Sequence, residues 1–382
     1  MKILLAFDSF KESMSSLVAA DAFTEGFLSI SPNTTIEKRI LSDGGEGFIE
    51  ALTFNSGECK PKIVKGPLCE DTKADYGILN NGKTAVIEMA RASGLELVPD
   101  QKRNPMKTTS YGTGQLINEA LEEGCSEILI GIGGSATVEG GCGMAQALGA
   151  QFYNDNEELM TKPISGEDLS NIHRIDLSSL NPKCKTAKFT IACDVDNPLI
   201  GEQGAAKIFG PQKGADEQMV EKLEKGLTHL CALIKRDMKI DVETLSGGGA
   251  AGGIGAMFCA LLNAKLKKGI DIVTDAINLE ESVLNADLII SGEGRIDQQT
   301  IHGKTVSGVL NIASKHNKAF LAIGGSVVNS DLSLLQQNGI QAVMTLINEI
   351  TDLQTAIKNG PVLMKQTGAR LANLINCIGN IK

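Results

Sequence analysis

The stretch Ser42–Gly47, SDGGEG, places two carboxylates among glycines directly after the alternating apolar run TTIEKRIL. Carboxylate oxygens bind cations or move protons, and Mg²⁺ in particular takes oxygen ligands. Glycines let a backbone come close to another group. Asp43 and Glu46 are therefore candidate metal ligands at the end of a strand. The alternative interpretation is a turn before a helix, because acidic residues are favoured in a first helical turn.

Similar residues follow several other apolar runs of the chain. Ligands of an open parallel sheet bind beyond the carboxyl ends of its strands, so we predict that these residues share a site. They are Asp8, Ser9 and Lys11 in DSFK; Glu293, Arg295 and Asp297 in GEGRID, with Lys304 beyond; Glu88, Arg91 and Ser93 in VIEMARAS; Gly133, Gly134 and Ser135 in GIGGSAT; and Asp194 and Asp196 in CDVDNP.

This combination of acids, cations and glycine loops suits a phosphate that is bound together with magnesium. Phosphoryl transfer needs positioning and charge neutralisation more than covalent chemistry. Glycine-rich loops point backbone N–H groups at phosphate oxygens. We therefore predict an interdomain cleft that holds a magnesium-bound phosphate. Simpler roles stay open for each motif: a helix cap for DSFK, a solvated turn for CDVDNP and a local salt bridge within GEGRID.

Bulk composition excludes several classes of function. The chain has 382 residues and a formal net charge of −10, which argues against binding to nucleic acid or an anionic membrane surface. No apolar run approaches the length of a membrane span. Nine cysteines without paired spacing indicate reduced thiols, and we expect a cytoplasmic protein. The oligomeric state is left open.

The length predicts two domains. Two strands near the N-terminus and three near the C-terminus alternate with helix-length segments, which indicates a doubly wound parallel sheet. The middle contains a strand–turn–strand pattern and further apolar runs. We predict an α/β protein with a flavodoxin-like domain, residues 1–60 plus 281–382, and an inserted mixed-sheet α/β domain, residues 61–280.

One competing motif is the segment Gly131–Ala136, which fits the G-x-G-x-x-[GA] dinucleotide pattern after the apolar run EILI. It would make the protein an NAD-dependent oxidoreductase. Against that function, the next residues TVEGGCGMA are rich in glycine, which is a poor helix former. A non-catalytic module that binds a sugar acid is a third possibility.

The motifs, taken in order along the chain, resemble those of the bacterial type I glycerate kinases. The resemblance rests on DSFK, DGGEG, TAVIEMA, YGTGQLI, GIGGSAT, ACDVDNPL, FGPQKGA, GAAGG and SGEGRID, and it covers the chain from Lys2 to about Ile323. It implies a kinase that uses ATP and magnesium to phosphorylate D-glycerate, typically to 2-phosphoglycerate, and that has two α/β domains. Formation of 3-phosphoglycerate is an alternative.

The resemblance adds Lys213 to the candidate residues and suggests individual roles. Lys11 and Lys213 would neutralise phosphate charge, and Arg295 or Arg91 would pair with the substrate carboxylate. Asp194 would orient the attacking hydroxyl or accept its proton. The expected metal ligands are Asp43, Glu46, Glu293 and Asp297, and the remaining candidates would bind substrate or nucleotide.

The chain departs from the family pattern at two places. Glu12 follows DSFK where the family commonly has glycine, and Val138-Glu139 replaces a common Asn-Asp pair after GGSAT. If the second pair touches substrate, the departure would alter substrate affinity or identity.

Overall fold

The computed structural model describes residues 1–54, 57–79, 81–301, 305–328 and 331–379. The chain divides into two compact units, which are described separately below. Unit 1 combines Met1–Asp43 with Ile270–Lys382, and unit 2 is Gly44–Gly269.

The strands, in chain order, are β1 Lys2–Phe7, β2 Thr35–Lys38, β3 Gly57–Lys65, β4 Asp71–Leu79, β5 Thr84–Glu88, β6 Glu127–Gly131, β7 Gln151–Tyr153, β8 Arg174–Asp176, β9 Lys188–Ala192, β10 Lys265–Lys267, β11 Leu288–Ile296, β12 Ala319–Val327 and β13 Ala342–Thr345.

The α-helices are α1 Ser16–Ile30, α2 Phe48–Thr53, α3 Ala90–Ser93, α4 Tyr111–Glu122, α5 Cys142–Ala147, α6 Ala205–Phe209, α7 Glu217–Leu233, α8 Ala250–Leu262, α9 Gly269–Ala276, α10 Leu279–Leu284, α11 Thr305–Lys315, α12 Leu332–Gln337, α13 Leu353–Lys358 and α14 Gly360–Gly379. Short 3₁₀ segments are Leu95–Leu97, Asp100–Lys102, Gly166–Asn171, Pro182–Lys185, Pro211–Lys213 and Gln298–Ile301, and Ile234–Met238 forms a π turn.

Unit 1 contains a five-stranded sheet in the order β13-β12-β11-β1-β2. Every neighbouring pair in it is parallel. The order reverses between β1 and β11, which makes this position the topological switch point where such sheets bind ligands. Strands from both ends of the chain therefore place the segments after β1 and at the end of β11 side by side.

Burial on both faces explains why β1 is apolar throughout. Ile3, Leu5 and Phe7 belong to a core cluster with residues of α1 and α14, while Leu4 and Ala6 on the opposite face are also fully buried. Helix α1 begins after the cap Ser15, whose hydroxyl accepts from Val18 N–H at 3.3 Å.

Unit 2 contains a six-stranded mixed sheet in the order β10-β9-β6-β5-β4-β3. Strands β10, β9, β6 and β5 are parallel, and β4 and β3 join antiparallel. A separate antiparallel pair, β7 and β8, lies outside this sheet. The register places Glu88 opposite Gly131 and Gly131 opposite Ala192, so the carboxyl ends of β5, β6 and β9 are aligned.

These sheets confirm the predicted fold class, a flavodoxin-like parallel sheet from both chain ends and a mixed-sheet α/β region between them. The domain boundaries predicted at 60/61 and 280/281 stay predictions. Within the described ranges, none of the helices combines the length and apolar character needed to cross a bilayer.

Candidate functional site

A cavity of about 710 Å³ opens at the carboxyl edge of the unit 1 sheet. Each of the five parallel strands contributes to its lining. The segment 8–13 follows β1, Asp43 follows β2, residues 293–297 end β11, residues 325–326 lie near the end of β12, and residues 346–347 follow β13. The volume is within the range of about 300–1,000 Å³ that is usual for small-ligand pockets.

Asp8 lies at the switch point, with its backbone N–H donating to Gly292 O at 2.9 Å. Its carboxylate accepts from Thr305 Oγ1 at 2.5 Å and from Ser9 N–H at 2.7 Å. Burial raises the pKa of Asp8 to about 6, and the neighbouring Asp43 carboxylate adds to the rise. The two acids are thus close enough to repel each other.

Glu293 and Arg295 do not occupy a loop after the strand, as the sequence had suggested, because β11 continues to Ile296. The continuation pairs Glu293 with Gly324 and Arg295 with Ser326 of β12. Being two residues apart on a strand, Glu293 and Arg295 share one face, and both line the cavity.

Glycines allow this unexpected pairing. A Cβ on Gly292 would lie 2.1 Å from Ile323 O, and one on Gly325 would lie 2.5 Å from Gly294 O. The glycine-rich sequence predicts a loop, whereas in the structure the missing Cβ atoms let strands β11 and β12 pair at close range.

The end of β11 is tied to the residues that follow it. Arg295 Nε pairs with Asp297 Oδ2 at 3.2 Å, as the local salt-bridge alternative had proposed. Thr300 Oγ1 donates to Glu293 Oε1 at 2.9 Å and accepts from Asp297 N–H at 3.1 Å. The Arg295 side chain remains 68% exposed, so it also reaches the cavity solvent.

The charge of the cavity lining fits a divalent cation. Its acidic residues are Asp8, Glu12, Asp43, Glu293 and Asp297, and its basic residues, within the described ranges, are Lys11 and Arg295. The acidic residues outnumber the basic ones, and the raised pKa of Asp8 indicates that its negative charge is disfavoured. Bound Mg²⁺ would offset this concentration of negative charge. No cluster of three or more potential metal-binding side chains has metal-site geometry in the described part of the chain. A metal here would therefore rely on few carboxylates together with phosphate oxygens and water.

One wall of the same cavity is apolar, and sequence reasoning missed it. Its side chains are Leu346, Ile347, Leu353, Ala356, Ile357 and Leu363. The available signal was the position of QAVMTLI: residues after the last parallel strand must reach the same sheet edge as those after the first. Ser13 Oγ donates to Ile357 O at 2.7 Å, which fastens the segment after β1 to this wall.

In unit 2, Glu88 ends β5 and is only 2% exposed. Burial raises its pKa to about 7, opposed by the Arg91 guanidinium, whose Nε lies 3.6 Å from Glu88 Oε1. Arg91 also pairs with Glu50 and, at 3.6 Å, with Asp75. The predicted carboxylate-binding arginine is therefore already surrounded by three protein carboxylates.

The loop after β6 is held by buried hydrogen bonds. Lys213 Nζ, on a residue only 3% exposed, donates to Ser135 Oγ at 2.8 Å and to Thr137 O at 2.7 Å. Burial lowers the pKa of Lys213 to about 7. Ser93 is fully buried, shares a 2.8 Å hydrogen bond with Thr113 and accepts from Ala136 N–H through its carbonyl.

This loop lacks the geometry of a dinucleotide site. The next helix, α5, begins at Cys142, so none begins within Gly131–Ala136. Gly134 has φ +71°, and its carbonyl accepts from Leu95 N–H at 2.8 Å. Gly133 N–H donates to Gly44 O at 3.4 Å. The Gly133 N–H and the Gly134 carbonyl therefore bond within the protein, and the substrate- or nucleotide-binding role expected of Gly133, Gly134 and Ser135 stays a prediction.

The glycines of SDGGEG approach strand ends of unit 2. A Cβ on Gly44 would lie 2.4 Å from the Cβ of Ala192, and one on Gly131 would lie 2.4 Å from Gly44 O. The two acids of the motif go to different units: Asp43 lines the unit 1 cavity, while Glu46 belongs to unit 2, where its charge acts on Glu88.

Asp194 and Asp196 follow β9 in a loop. Asp194 Oδ1 accepts from Gly269 N–H at 3.1 Å, and Asp196 Oδ1 accepts from Ser246 Oγ at 3.0 Å. Their predicted catalytic and binding roles stay predictions. Lys304, another predicted binding residue, lies outside the described residues.

The structure gives a physical account of both departures from the family pattern. Glu12 has φ +66°, in the left-handed region that favours glycine. Val138 and Glu139 are fully buried, and the Glu139 carboxylate accepts from Gly143 N–H at 3.0 Å and Ser110 N–H at 3.2 Å. Burial raises the pKa of Glu139. The Val-Glu pair is therefore enclosed by protein atoms.

Comparison with known proteins identifies the family. The sequence profile of the glycerate kinase family matches residues 3–376. Glycerate 2-kinase of Escherichia coli (strain K12) is 48% identical over 359 residues, covering 94% of this chain and 93% of that relative. Glycerate kinase of Bacillus subtilis (strain 168) is 43% identical over 373 residues, covering 97% of each chain.

A solved structure agrees over the whole length. The crystal structure of a provisionally assigned glycerate kinase 2 from Salmonella typhimurium LT2 superposes with a TM-score of 0.88 at 44% identity and covers 100% of both chains. The chain therefore belongs to the glycerate kinase family, and it is a kinase.

Proposed function

We propose that this protein transfers the terminal phosphoryl group of ATP to D-glycerate in the presence of Mg²⁺ and forms 2-phosphoglycerate. Family membership supports the class of reaction, and the name of the 48% identical relative, glycerate 2-kinase, supports the position of the phosphate. Reduced thiols at all nine cysteines are compatible with the cytoplasm, where we place the reaction.

The observation that carries the proposal is the unit 1 cavity, because one opening collects acids and cations from the ends of three parallel strands, β1, β2 and β11. A nucleoside triphosphate needs cations for its phosphate charge, and Lys11 and Arg295 supply two. Mg²⁺, when bound, would neutralise phosphate oxygens, with Asp43, Glu293 and Asp297 as its ligands, directly or through water. Glu46 remains a further predicted ligand from unit 2.

The chain's own side chains have distinct tasks in this proposal. Thr305 and Thr300 orient the carboxylates of Asp8 and Glu293 through hydrogen bonds of 2.5 and 2.9 Å. Lys11 stabilises charge that develops on the transferring group. The remaining sequence hypotheses stay predictions: Asp194 as the group that accepts the hydroxyl proton, and an acceptor site in a cleft shared by two domains.

The test is a coupled assay of ADP release with D-glycerate, ATP and Mg²⁺. We expect ADP formation to require all three components and to stop when EDTA removes the metal. Phosphorus NMR of the product distinguishes 2-phosphoglycerate, the expected product, from 3-phosphoglycerate. L-Glycerate serves as the control for recognition of the acceptor.

Absence of D-glycerate-dependent ADP formation by folded protein would refute the proposed activity. Full activity in EDTA would refute the metal requirement, and 3-phosphoglycerate as the product would refute the assigned position. Reduction of NAD by the protein with D-glycerate would instead support the oxidoreductase alternative.

A further inference from the structure

The unit 1 cavity is divided into a charged half and an apolar half. The acids and cations lie at the ends of β1, β2 and β11, whereas the apolar half is formed by the segment after β13 and by α13 and α14. The function proposed above uses only the charged half.

Some apolar side chains of the cavity wall are exposed to solvent, so other protein groups do not cover them completely. Leu346 and Ala356 are buried, at 3% and 8% exposure, and form the floor, but Leu353 at the start of α13 is 72% exposed. Ile350, in the preceding loop, is fully exposed. An apolar side chain that lines a concave surface and remains in solvent is typical of a binding site for an apolar group.

Glycerate does not fit this wall, because all three of its carbons carry oxygen and it is small relative to about 710 Å³. A purine has two flat apolar faces that aliphatic side chains can cover. It also has a polar edge, and a smaller cavity of about 20 Å³ next to the wall has a lining whose polar members are Asn348, Glu349, Thr351, Thr355 and Asn359. That volume suffices for one water molecule, which could mediate a contact to the base edge.

We propose that the segment 346–363 forms the purine subsite of the nucleotide, with Leu353, Ile347 and Ala356 packing on the base. This inference rests on the proposed function, since it assigns the other half of the same ATP molecule. The triphosphate occupies the half with Lys11 and Arg295. The hydrogen bond from Ser13 Oγ to Ile357 O fixes the base half relative to the phosphate half.

The test separates the base from the phosphates. Calorimetric titration measures binding of Mg-ATP and of Mg-tripolyphosphate, which lacks base and ribose. The first variant, Leu353→Ser, removes an exposed side chain and leaves the core intact. The second, Ala356→Phe, places a large side chain in the apolar half of the cavity. Leu374→Ser is the matched control, because Leu374 is 53% exposed on α14 and does not line the cavity.

For Leu353→Ser we expect ATP binding to weaken about three- to tenfold, as loss of one leucine contact predicts. Ala356→Phe should weaken it more than tenfold, while tripolyphosphate binding changes less than twofold in every variant. Leu374→Ser should bind both ligands like the wild type. Thermal unfolding of each variant verifies that it is folded.

Two outcomes would overturn the inference. Wild-type ATP affinity in folded Leu353→Ser and Ala356→Phe proteins would show that the base lies elsewhere. Equal losses for ATP and tripolyphosphate would show that the wall affects the phosphates instead. Failure of the wild-type protein to phosphorylate D-glycerate is a separate result: it would refute the proposed function, and the two titrations would still locate the base.

Discussion

In unit 1, the carboxyl ends of the parallel strands open into a cavity where Asp8 and Glu293 face solvent and ligand space. In unit 2, the loop after β6 contains Glu139 and accepts hydrogen bonds from Lys213, and both ionisable groups are enclosed by protein atoms. Both regions combine acids, a lysine and glycines. They differ in their surroundings: the acids of the first border a cavity, although Thr305 and Thr300 also donate to them, whereas the groups of the second are enclosed and bond to backbone and hydroxyl groups.

The difference predicts that the unit 1 cavity binds ligand directly, while the predicted binding roles of Ser135 and Lys213 in unit 2 stay predictions. Enclosed groups that are hydrogen-bonded stabilise the fold, since removing one leaves its buried partners unsatisfied. Carboxylates that lie close together at the cavity reduce the stability of the folded state, because partial burial and mutual repulsion disfavour their negative charges. Substitutions in unit 1 should therefore reduce activity, whereas substitutions in the enclosed cluster should reduce stability.

The largest effect is expected for Glu293→Gln in the cavity. It keeps the side-chain shape but removes a proposed metal-ligand charge, so we expect kcat to fall about a hundredfold or more. The coupled ADP-release assay at several Mg²⁺ concentrations measures this loss. Glu25→Gln, on the exposed surface of α1, is the control and should retain activity. Near-normal kcat of Glu293→Gln at all Mg²⁺ concentrations would remove Glu293 from the site.

In the enclosed cluster, Glu139→Ala should chiefly affect stability. It leaves the buried N–H groups of Ser110 and Gly143 without an acceptor, at a cost of about 2–4 kcal/mol in the free energy of unfolding. Urea unfolding measures the loss. Activity per folded molecule should stay within a few fold of the wild type. An unchanged unfolding midpoint together with lost activity would place Glu139 in the reaction instead.

Asp8→Asn tests how much the carboxylate of Asp8 in the unit 1 cavity lowers the stability of the folded protein. The folded pKa of Asp8, about 6, lies above its usual 3.8, so the folded state binds more protons between these values and loses stability as pH rises through them. At pH 7.5, in EDTA, the neutral amide should therefore stabilise the protein by about 1–3 kcal/mol and abolish activity. The gain should disappear below pH 4. A less stable variant at pH 7.5 would contradict this account of Asp8.

Lys213→Met tests, through the pH dependence of stability, whether burial lowers the pKa of Lys213 in the folded protein. The folded pKa of about 7 lies below the usual 10.5, so the unfolded chain binds more protons between these values and stability rises with pH across that range. The contribution is at most about 1.4 kcal/mol per pH unit. Unfolding free energies at pH 7 to 8.5 should show a steeper rise for the wild type than for Lys213→Met. Equal slopes would mean that Lys213 is charged in the folded protein.

The smallest effect is expected for Glu12→Gly, which relieves the left-handed backbone conformation. We expect a gain of about 1 kcal/mol in unfolding free energy. Glu12→Ala is the control, because it removes the same carboxylate but keeps a Cβ at φ +66°. Equal gains for both variants would assign the effect to charge and not to the backbone.

The sequence predicted the parallel sheet of unit 1 well, because Lys2–Phe7 and the later apolar runs carry the pattern of strands buried on both faces. The prediction of strand ends was wrong where the strands contain glycines instead of apolar residues. The sequence IGGS occurs twice: at 132–135 it follows strand β6, but at 323–326 it lies inside β12, as GEGRI lies inside β11. Glycine has no side chain to show burial, so loop and close strand pairing look alike in sequence.

The candidate site shows a similar limit. Residue type placed Asp8, Lys11, Asp43, Glu293, Arg295 and Asp297 among the candidates, and the sheet topology of unit 1 brings these six to one cavity. The same reasoning also selected Ser93, Ser135 and Lys213, which are buried and bonded to other protein groups and whose binding roles stay predictions. Exposure depends on tertiary neighbours, which a single sequence does not reveal. The apolar wall was missed because leucine and isoleucine are ordinary core residues.

The most direct measurement is a crystal structure of the protein with Mg²⁺ and a non-hydrolysable ATP analogue. We expect the triphosphate and metal to lie beside Asp43, Glu293 and Lys11 in unit 1, with the base against Leu353. A nucleotide bound along the Gly131–Ala136 loop, with the unit 1 cavity filled only by water, would contradict it.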